Sequence, residues 1–127
     1  MIWAAKLVFI DTGVEALTTT HIRGDTLSWG FTASVKDDGV LVTDMTGWTI
    51  RSHARALVGS TVGSVIQEFT AAWVDATART YTLSATAAQT AAWTPGVAVV
   101  DVEFTSPGGV VVSTPKAVFN IEGDVTI

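Results

Sequence analysis

The chain lacks cysteine altogether, and only 15% of its 127 residues are charged. The absence of cysteine excludes disulfides, thiolate metal sites and cysteine nucleophiles. An average soluble domain has about 25% charged residues. Because so few charges must cover the surface, we expect some apolar area to stay exposed unless another subunit covers it. The composition is a first indication of a component of an assembly.

Positive charge is also scarce, since 7 basic residues stand against 12 acidic ones for a net charge of −5. Such a surface repels nucleic-acid phosphates and anionic lipid head groups, which predicts no nucleic-acid partner and no membrane partner. No apolar run reaches the roughly 18 residues of a membrane span. The N-terminus has no basic region before its apolar residues, as a signal peptide would, so we expect synthesis in the cytoplasm.

Alternation of apolar and polar residues is the strongest structural pattern in the sequence. It runs over Leu27 to Val35 and again over Val97 to Phe104, and Asp38-Gly39 between them is typical of a hairpin turn. Turn residues recur at intervals of about 8–12 residues. The pattern predicts one all-β domain, a β-sandwich of about seven to nine strands. A short helical turn is expected near residues 86–93, where Thr86 and Gln89 have capping-box spacing.

Two further stretches lead to more specific expectations. Residues 57–64 are rich in Gly and Ser and are predicted to be an exposed loop, and residues 65–74 fit a strand better than a helix. Residues 1–20 are predicted to form an N-terminal strand or arm, and residues 21–127 the sandwich. Because the N-terminal strand is apolar on both faces, it is either central in a sheet or covered by a neighbouring chain. The candidate intersubunit contacts are Ile2, Trp3, Leu7 and Phe9.

Polar motifs in the chain are better explained as turns than as sites. Arg23-Gly24-Asp25 matches an integrin-binding tripeptide, but it also fits the turn that begins a strand, which we favour. His21 and His53 have no carboxylate pair or cysteine at metal-ligand spacing, so a structural role is expected for each. Carboxylates follow closely around Gly39 but lack the spacing of a calcium loop, and we expect solvated turns. These carboxylates belong to Asp37, Asp38 and Asp44.

Catalytic constellations are missing from the pattern. Asp101 and Glu103 share one strand face without a candidate nucleophile, which indicates a wetter sheet face or a polar contact between subunits. No serine elbow and no phosphate-binding glycine loop is present. The sequence therefore predicts a protein that is not an enzyme, with no cofactor and no metal.

Tryptophan is abundant, with five residues in the chain. We expect Trp29 and Trp48 in the core and Trp3 at a contact between subunits. Exposed tryptophans also stack on sugar rings, so a carbohydrate-binding or host-adhesion module is the alternative to an assembly role.

Several short motifs together resemble one family of virion proteins. Gly24-Asp25-Thr26 precedes a long strand, Asp44-Met-Thr-Gly47 follows, and Thr90-Ala-Ala-Trp93 and Gly96 lead into Val100-Asp-Val-Glu103. This order resembles the N-terminal immunoglobulin-like domain of baseplate upper proteins of tailed bacteriophages. The resemblance implies an immunoglobulin-like fold and a structural role in the virion, in the tail, the baseplate or the attachment of a fibre. We expect a homo-oligomer, a trimer or a ring, that self-associates through apolar strand faces, with exchange of residues 1–10 as one route, and that docks to other virion proteins.

Overall fold

The computed structural model describes residues 3–9 and 19–123, and within them the chain is mostly β. Nine of its strands have four or more residues, in agreement with the predicted seven to nine, and two are shorter. The elements are β1 (Trp3–Phe9), β2 (Thr19–Ile22), β3 (Leu27–Asp37), β4 (Val40–Leu41), β5 (Thr49–Val58), β6 (Thr61–Glu68), β7 (Thr70–Asp75), β8 (Thr80–Ala85), α1 (Ala87–Ala91), β9 (Gly96–Thr105), β10 (Val111–Ser113) and β11 (Ala117–Glu122).

These strands form two sheets. The five-stranded sheet has the order β1-β3-β8-β7, with β4 added beside β3, and the six-stranded sheet has the order β2-β11-β9-β5-β6, with β10 added beside β9. Strands β2 and β11 run parallel, whereas the other pairs are antiparallel. The order β1-β3-β8-β7 corresponds to strands A, B, E and D of an immunoglobulin domain, and the order β11-β9-β5 corresponds to strands G, F and C. The predicted immunoglobulin-like β-sandwich is confirmed.

The core lies between the two sheets and is filled by the alternating residues. On β3 the inward-facing Leu27 and Phe31 are 1% exposed, and on β9 Val102 and Phe104 are fully buried. Trp29 is partly buried against the same core. Because successive strand residues point to opposite faces, this alternation gives each sheet one apolar and one outer side. The core predicted from the sequence is thus the core of the fold.

The single short helix carries the chain from β8 in one sheet to β9 in the other. Thr86 Oγ1 accepts a hydrogen bond from the Gln89 amide at 3.2 Å, and the Gln89 side chain accepts one from the Thr86 amide at 2.9 Å. This reciprocal capping box pairs N–H groups that the first turn of a helix leaves without partners. The predicted helical turn and its cap are confirmed.

The stretch over residues 57–64 differs from its prediction as an exposed loop. It contains the ends of β5 and β6 and the tight turn between them, with Val58 opposite Thr61 in the register. Gly59 has φ of +62°, which suits glycine, so a two-residue turn replaces the expected loop. The β-branched residues that flank the turn continue the strands.

The predicted strand over residues 65–74 is two strands that belong to different sheets. Phe69 alone separates β6 from β7, and its ring is 4% exposed. Its amide donates to the carbonyl of Ser52 at 3.0 Å, so the backbone keeps a partner while it changes sheet. One buried aromatic residue thus joins the two layers on one side of the sandwich.

Residues 3–9 of the N-terminal stretch belong to the five-stranded sheet, and residues 19–20 belong to β2 of the six-stranded sheet. Strand β1 pairs antiparallel with β3 over its whole length, from Trp3 opposite Asp37 to Phe9 opposite Phe31. The boundary predicted between residues 20 and 21 falls inside β2. Exchange of residues 1–10 between subunits stays a prediction. In residues 3–9 and 19–123, no helix has both the length and the hydropathy that a membrane span requires.

Candidate interaction surfaces

The predicted intersubunit residues occupy different positions in the structure. Leu7 is 4% exposed and lies in the core of its own sandwich, whereas Trp3 is half-buried and packs edge-on against Trp48 with ring centroids 5.9 Å apart. Ile2 lies outside the described residues, and for Phe9 only the backbone pairing with β3 is described. Of these four positions, Trp3 is the one with a described side chain that reaches the surface.

The tripeptide Arg23-Gly24-Asp25 is held against the helix and not displayed. The Arg23 guanidinium donates to the carbonyl of Ala91 at 2.7 Å, and the Gly24 amide donates to the hydroxyl of Thr90 at 2.9 Å. Gly24 has φ of +89°, so the turn needs glycine there. The tripeptide is the turn that begins β3, as predicted.

The two histidines and Asp44 have structural partners within the protein. His21 Nε2 lies 3.0 Å from the carbonyl of Asp25, and His53 lies 3.6 Å from the Glu68 carboxylate. Asp44 Oδ1 accepts hydrogen bonds from the amide and hydroxyl of Thr46, and these bonds lower the pKa of Asp44. Across residues 3–9 and 19–123, three or more metal-ligating side chains do not come together anywhere.

All five tryptophans pack on the core. Trp48 and Trp93 are 9% and 2% exposed, and Trp3, Trp29 and Trp73 are partly buried against the same cluster. Two of the indole N–H groups are also paired, from Trp73 to the Trp48 carbonyl and from Trp93 to the Gln67 side chain. The core positions predicted for Trp29 and Trp48 are confirmed, and none of the five tryptophans is more than partly exposed.

One side of the sandwich presents two unprotected strand edges. Strands β6 and β7 end their respective sheets, and no described strand pairs with the outer edge of either. Neither strand has a charged residue before its last position, Glu68 in β6 and Asp75 in β7. Large apolar side chains are exposed beside them, Val58 at 73%, Val65 at 43% and Val74 at 67%. Soluble proteins usually block such edges with charge, proline or a covering segment.

The outer face of the five-stranded sheet is nearly uncharged over β3, β8 and β7. Its outward positions from Ser28 to Ser34 on β3 and from Thr80 to Ser84 on β8 are Ser, Thr or Gly. On β7 the outward positions are Thr70, Ala72 and Val74. Antiparallel sheets that face water usually carry polar and charged side chains there, so this face has the low charge that is typical of the centre of an interface.

The outer face of the six-stranded sheet contains a hollow of about 200 Å³ where β5, β6 and β9 meet. The charged groups around it are Arg55 of β5, Asp101 of β9 and Lys116 just before β11. His53 of β5 also lines it, and Val99 lies below them. Val99 faces outward yet is only 6% exposed, so it forms an apolar floor.

The sequence indicated part of this polar face but not the hollow itself. Asp101 was predicted to lie on a wetter sheet face, and it does. Arg55 and Lys116 are distant from it in sequence, and only the strand register brings the three together.

Neither the protein-family models nor the curated proteins with which the chain was compared include a match to it.

Proposed function

We propose that this chain is a non-enzymatic structural component of a bacteriophage virion, in the tail, the baseplate or the attachment of a fibre. It acts by homo-oligomeric assembly and by docking to other virion proteins. The resemblance of its turn motifs to baseplate upper proteins supports the virion context. Two of these motifs meet in the fold, since Gly24 donates a hydrogen bond to Thr90.

The observation that carries the assembly role is the side formed by β6 and β7. An edge strand offers a row of backbone N–H and C=O groups to another strand, and two such edges lie together here without a blocking charge. The apolar side chains beside them add a hydrophobic contribution to pairing. A second copy of the chain is the partner that a homo-oligomer requires.

Pairing between opposite edges of the same sheet explains a ring or a trimer. Strand β6 is one end of the six-stranded sheet and β2 is the other end. If β6 of one copy pairs with β2 of the next, the contact is head-to-tail, and such contacts form a ring when the rotation from copy to copy closes. Ile22 on β2 is 42% exposed and available to that contact. The outer face of the five-stranded sheet, which is nearly uncharged over β3, β8 and β7, remains for docking to other proteins.

A charge placed in the middle of β6 tests the assembly. Ser64 is exposed, so Ser64→Lys removes no core contact but puts a lysine at the edge. We expect the wild-type chain to be a trimer or larger ring by light scattering at high micromolar concentration, and the variant to be a monomer. Ser113→Lys is the matched control, because Ser113 is exposed on β10, away from β6. A monomeric wild-type chain would overturn the assembly role.

Point variants are preferable to deletion of residues 1–10. That deletion removes β1 and with it the buried Ala5 and Leu7, so it changes the core as well as any interface. The virion context is tested separately on purified phage particles. Mass spectrometry tests whether the particles contain the chain, and gold labelling with an antibody against it locates the chain in the particle. Labelling at the tail or baseplate supports the proposal, and absence of the chain from intact particles contradicts it.

A further inference from the structure

The hollow on the six-stranded sheet is produced by the register of its strands. Asp101 pairs with His53 on β5, and one step along the sheet Val99 pairs with Arg55. On the other side of β9, Ala117 pairs with Val100, which places Lys116 beside Asp101. Three strands and a loop therefore bring two cations and one carboxylate around the small apolar floor of Val99.

Irregular pairing between β5 and β6 leaves room above this floor. The register shifts on both sides of Arg55, as it does where a strand bulges. Gly63 on β6 lies so close to β5 that a Cβ atom there would be 3.2 Å from the carbonyl oxygen of Ala56. Arg55 Nη1 donates to the Gly63 carbonyl at 3.2 Å, which holds the guanidinium at the rim of the hollow.

The charged side chains around the hollow make few interactions with the rest of the protein. Among the described residues, no hydrogen bond or ion pair involves the side chain of Asp101 or Lys116, and Arg55 has only its bond to Gly63. Glu68, the carboxylate nearest to His53, is shared with Arg51 at 3.2 Å. Two cations and one carboxylate give the hollow a formal charge of +1 on a protein of net charge −5.

The two cations, the carboxylate and the apolar floor together determine which kind of ligand fits the hollow. A simple anion would be attracted by Arg55 and Lys116 but repelled by Asp101. A simple cation would be attracted by Asp101 but repelled by Arg55 and Lys116. A ligand with one carboxylate and several hydroxyl groups satisfies both, because its carboxylate accepts from the cations while a hydroxyl donates to Asp101. The C–H face of a sugar ring also suits the floor of Val99.

We propose that the hollow binds a single acidic sugar residue, a hydroxy-carboxylate of hexuronate size. Sites for drug-sized ligands measure roughly 300–1,000 Å³. The hollow has about 200 Å³, which limits it to one ring. It opens on the face of the sheet, whereas the proposed assembly uses the edge, so either proposal can fail without the other.

A titration of the full chain by amide chemical shifts tests this site, with glucuronate, glucose and acetate as probes at low salt. We expect saturable shifts at Arg55, Val99 and Lys116 with glucuronate. Affinities should be at least roughly ten-fold weaker for glucose, which lacks the carboxylate, and for acetate, which lacks the hydroxyl groups. Added salt should weaken binding of glucuronate, since the cations are partly exposed.

Matched variants localise the binding. Arg55→Gln and Asp101→Asn should each weaken glucuronate binding by roughly ten-fold. Arg51→Gln and Glu103→Gln likewise remove one cation and one carboxylate from β5 and β9, on the same face but outside the hollow. These control variants should leave the affinity for glucuronate unchanged. Equal binding of glucuronate and acetate, shifts away from these residues, or equal effects of the two pairs of variants would overturn the proposal.

Discussion

The hydroxyl of Thr90 donates a hydrogen bond of 2.7 Å to the carbonyl oxygen of Asp25, 65 positions earlier in the chain. The oxygen of this Thr90 hydroxyl also accepts a hydrogen bond from the Gly24 amide at 2.9 Å. One fully buried threonine thus satisfies both a donor and an acceptor of the turn that begins β3. The helix that follows β8 and the turn that precedes β3 are therefore a single structural unit.

Replacement of this hydroxyl should destabilise the fold. Thr90→Val keeps the shape of the side chain but leaves two backbone groups of the turn without partners, so we expect a loss of about 1–3 kcal/mol in the free energy of unfolding. Urea denaturation measures it. Thr90→Ser, which keeps the hydroxyl, is the control and should lose less. A Thr90→Val variant as stable as the wild type would show that the bond has no energetic role.

Removal of the Tyr81 hydroxyl, in contrast to that of Thr90, should not destabilise the fold. The Tyr81 ring is fully buried and stacks on Phe31 at 5.4 Å, but its hydroxyl has no hydrogen-bond partner among the described residues. Because an unpaired buried hydroxyl costs free energy, Tyr81→Phe should be as stable as the wild type or more stable. Tyr81→Ala, which opens a cavity, should lose about 3–5 kcal/mol. Clear destabilisation by Tyr81→Phe would reveal a partner for the hydroxyl.

Burial also raises the pKa of Tyr81 above its ordinary value of 10.0. The unfolded chain therefore releases its phenolic proton above pH 10.0 while the folded chain retains it, and stability falls as the pH rises further. Tyr81 is the one tyrosine in the sequence, so ultraviolet absorbance of tyrosinate follows this group alone. We expect ionisation to coincide with alkaline unfolding. A smooth titration of the folded protein near its ordinary pKa would contradict the burial.

Two exposed loop carboxylates should contribute to stability at neutral pH and lose that contribution in acid. The hydroxyl of Thr46 is the main cause that lowers the pKa of Asp44, and the hydroxyl of Thr77 has the same effect on Asp75. Their contribution is complete above the ordinary value of 3.8 and is lost as the pH falls below it, toward the lower pKa of the folded state.

Thermal unfolding followed across the acid range measures this effect. The Asp44→Asn, Asp75→Asn double variant keeps an oxygen acceptor in each loop but cannot titrate, so its melting temperature should fall less steeply with acid than that of the wild type. Thr46→Ala, which removes a donor, should raise the pKa of Asp44 in a carboxyl-carbon NMR titration. Identical acid dependence in wild type and double variant would contradict the prediction.

Two glycines with similar backbone angles should respond differently to alanine. Gly39 has φ of +82° with open space around it, whereas Gly47 has φ of +84° and a Cβ there would lie 3.0 Å from Cγ of Pro107. The left-handed conformation alone costs about 1–2 kcal/mol. Calorimetry should show a loss of that size for Gly39→Ala and a larger loss for Gly47→Ala. A Gly39→Ala variant that loses more than Gly47→Ala would contradict the steric argument.

Local patterns in the sequence predicted those parts of the fold that local chemistry decides. The alternation on β3, the turn at Asp38-Gly39 and the capping box of Thr86 and Gln89 each depend on neighbours within a few residues. The change of sheet at Phe69 was missed, because alternation continues through it and only packing against β5 separates β6 from β7. The small residues around Gly59-Ser60 predict a loop, whereas a tight turn joins β5 to β6 there.

The candidate surfaces were less predictable than the fold. Exposed edges at β6 and β7 depend on which strand ends each sheet, and periodicity does not give that order. The hollow requires Arg55, Asp101 and Lys116 to be neighbours, which follows from the registers of β5 and β11 against β9. Asp101 on an outer face was the one local signal for it.

The parallel pairing of β2 with β11 has a mechanical consequence. The two strands run in the same direction near opposite ends of the chain. If force pulls the chain before β2 and after β11 in opposite directions, it loads their hydrogen bonds in shear and all at once. An antiparallel pair at this place would open like a zipper, one bond after another. This pair is therefore arranged to resist stretching along its strands.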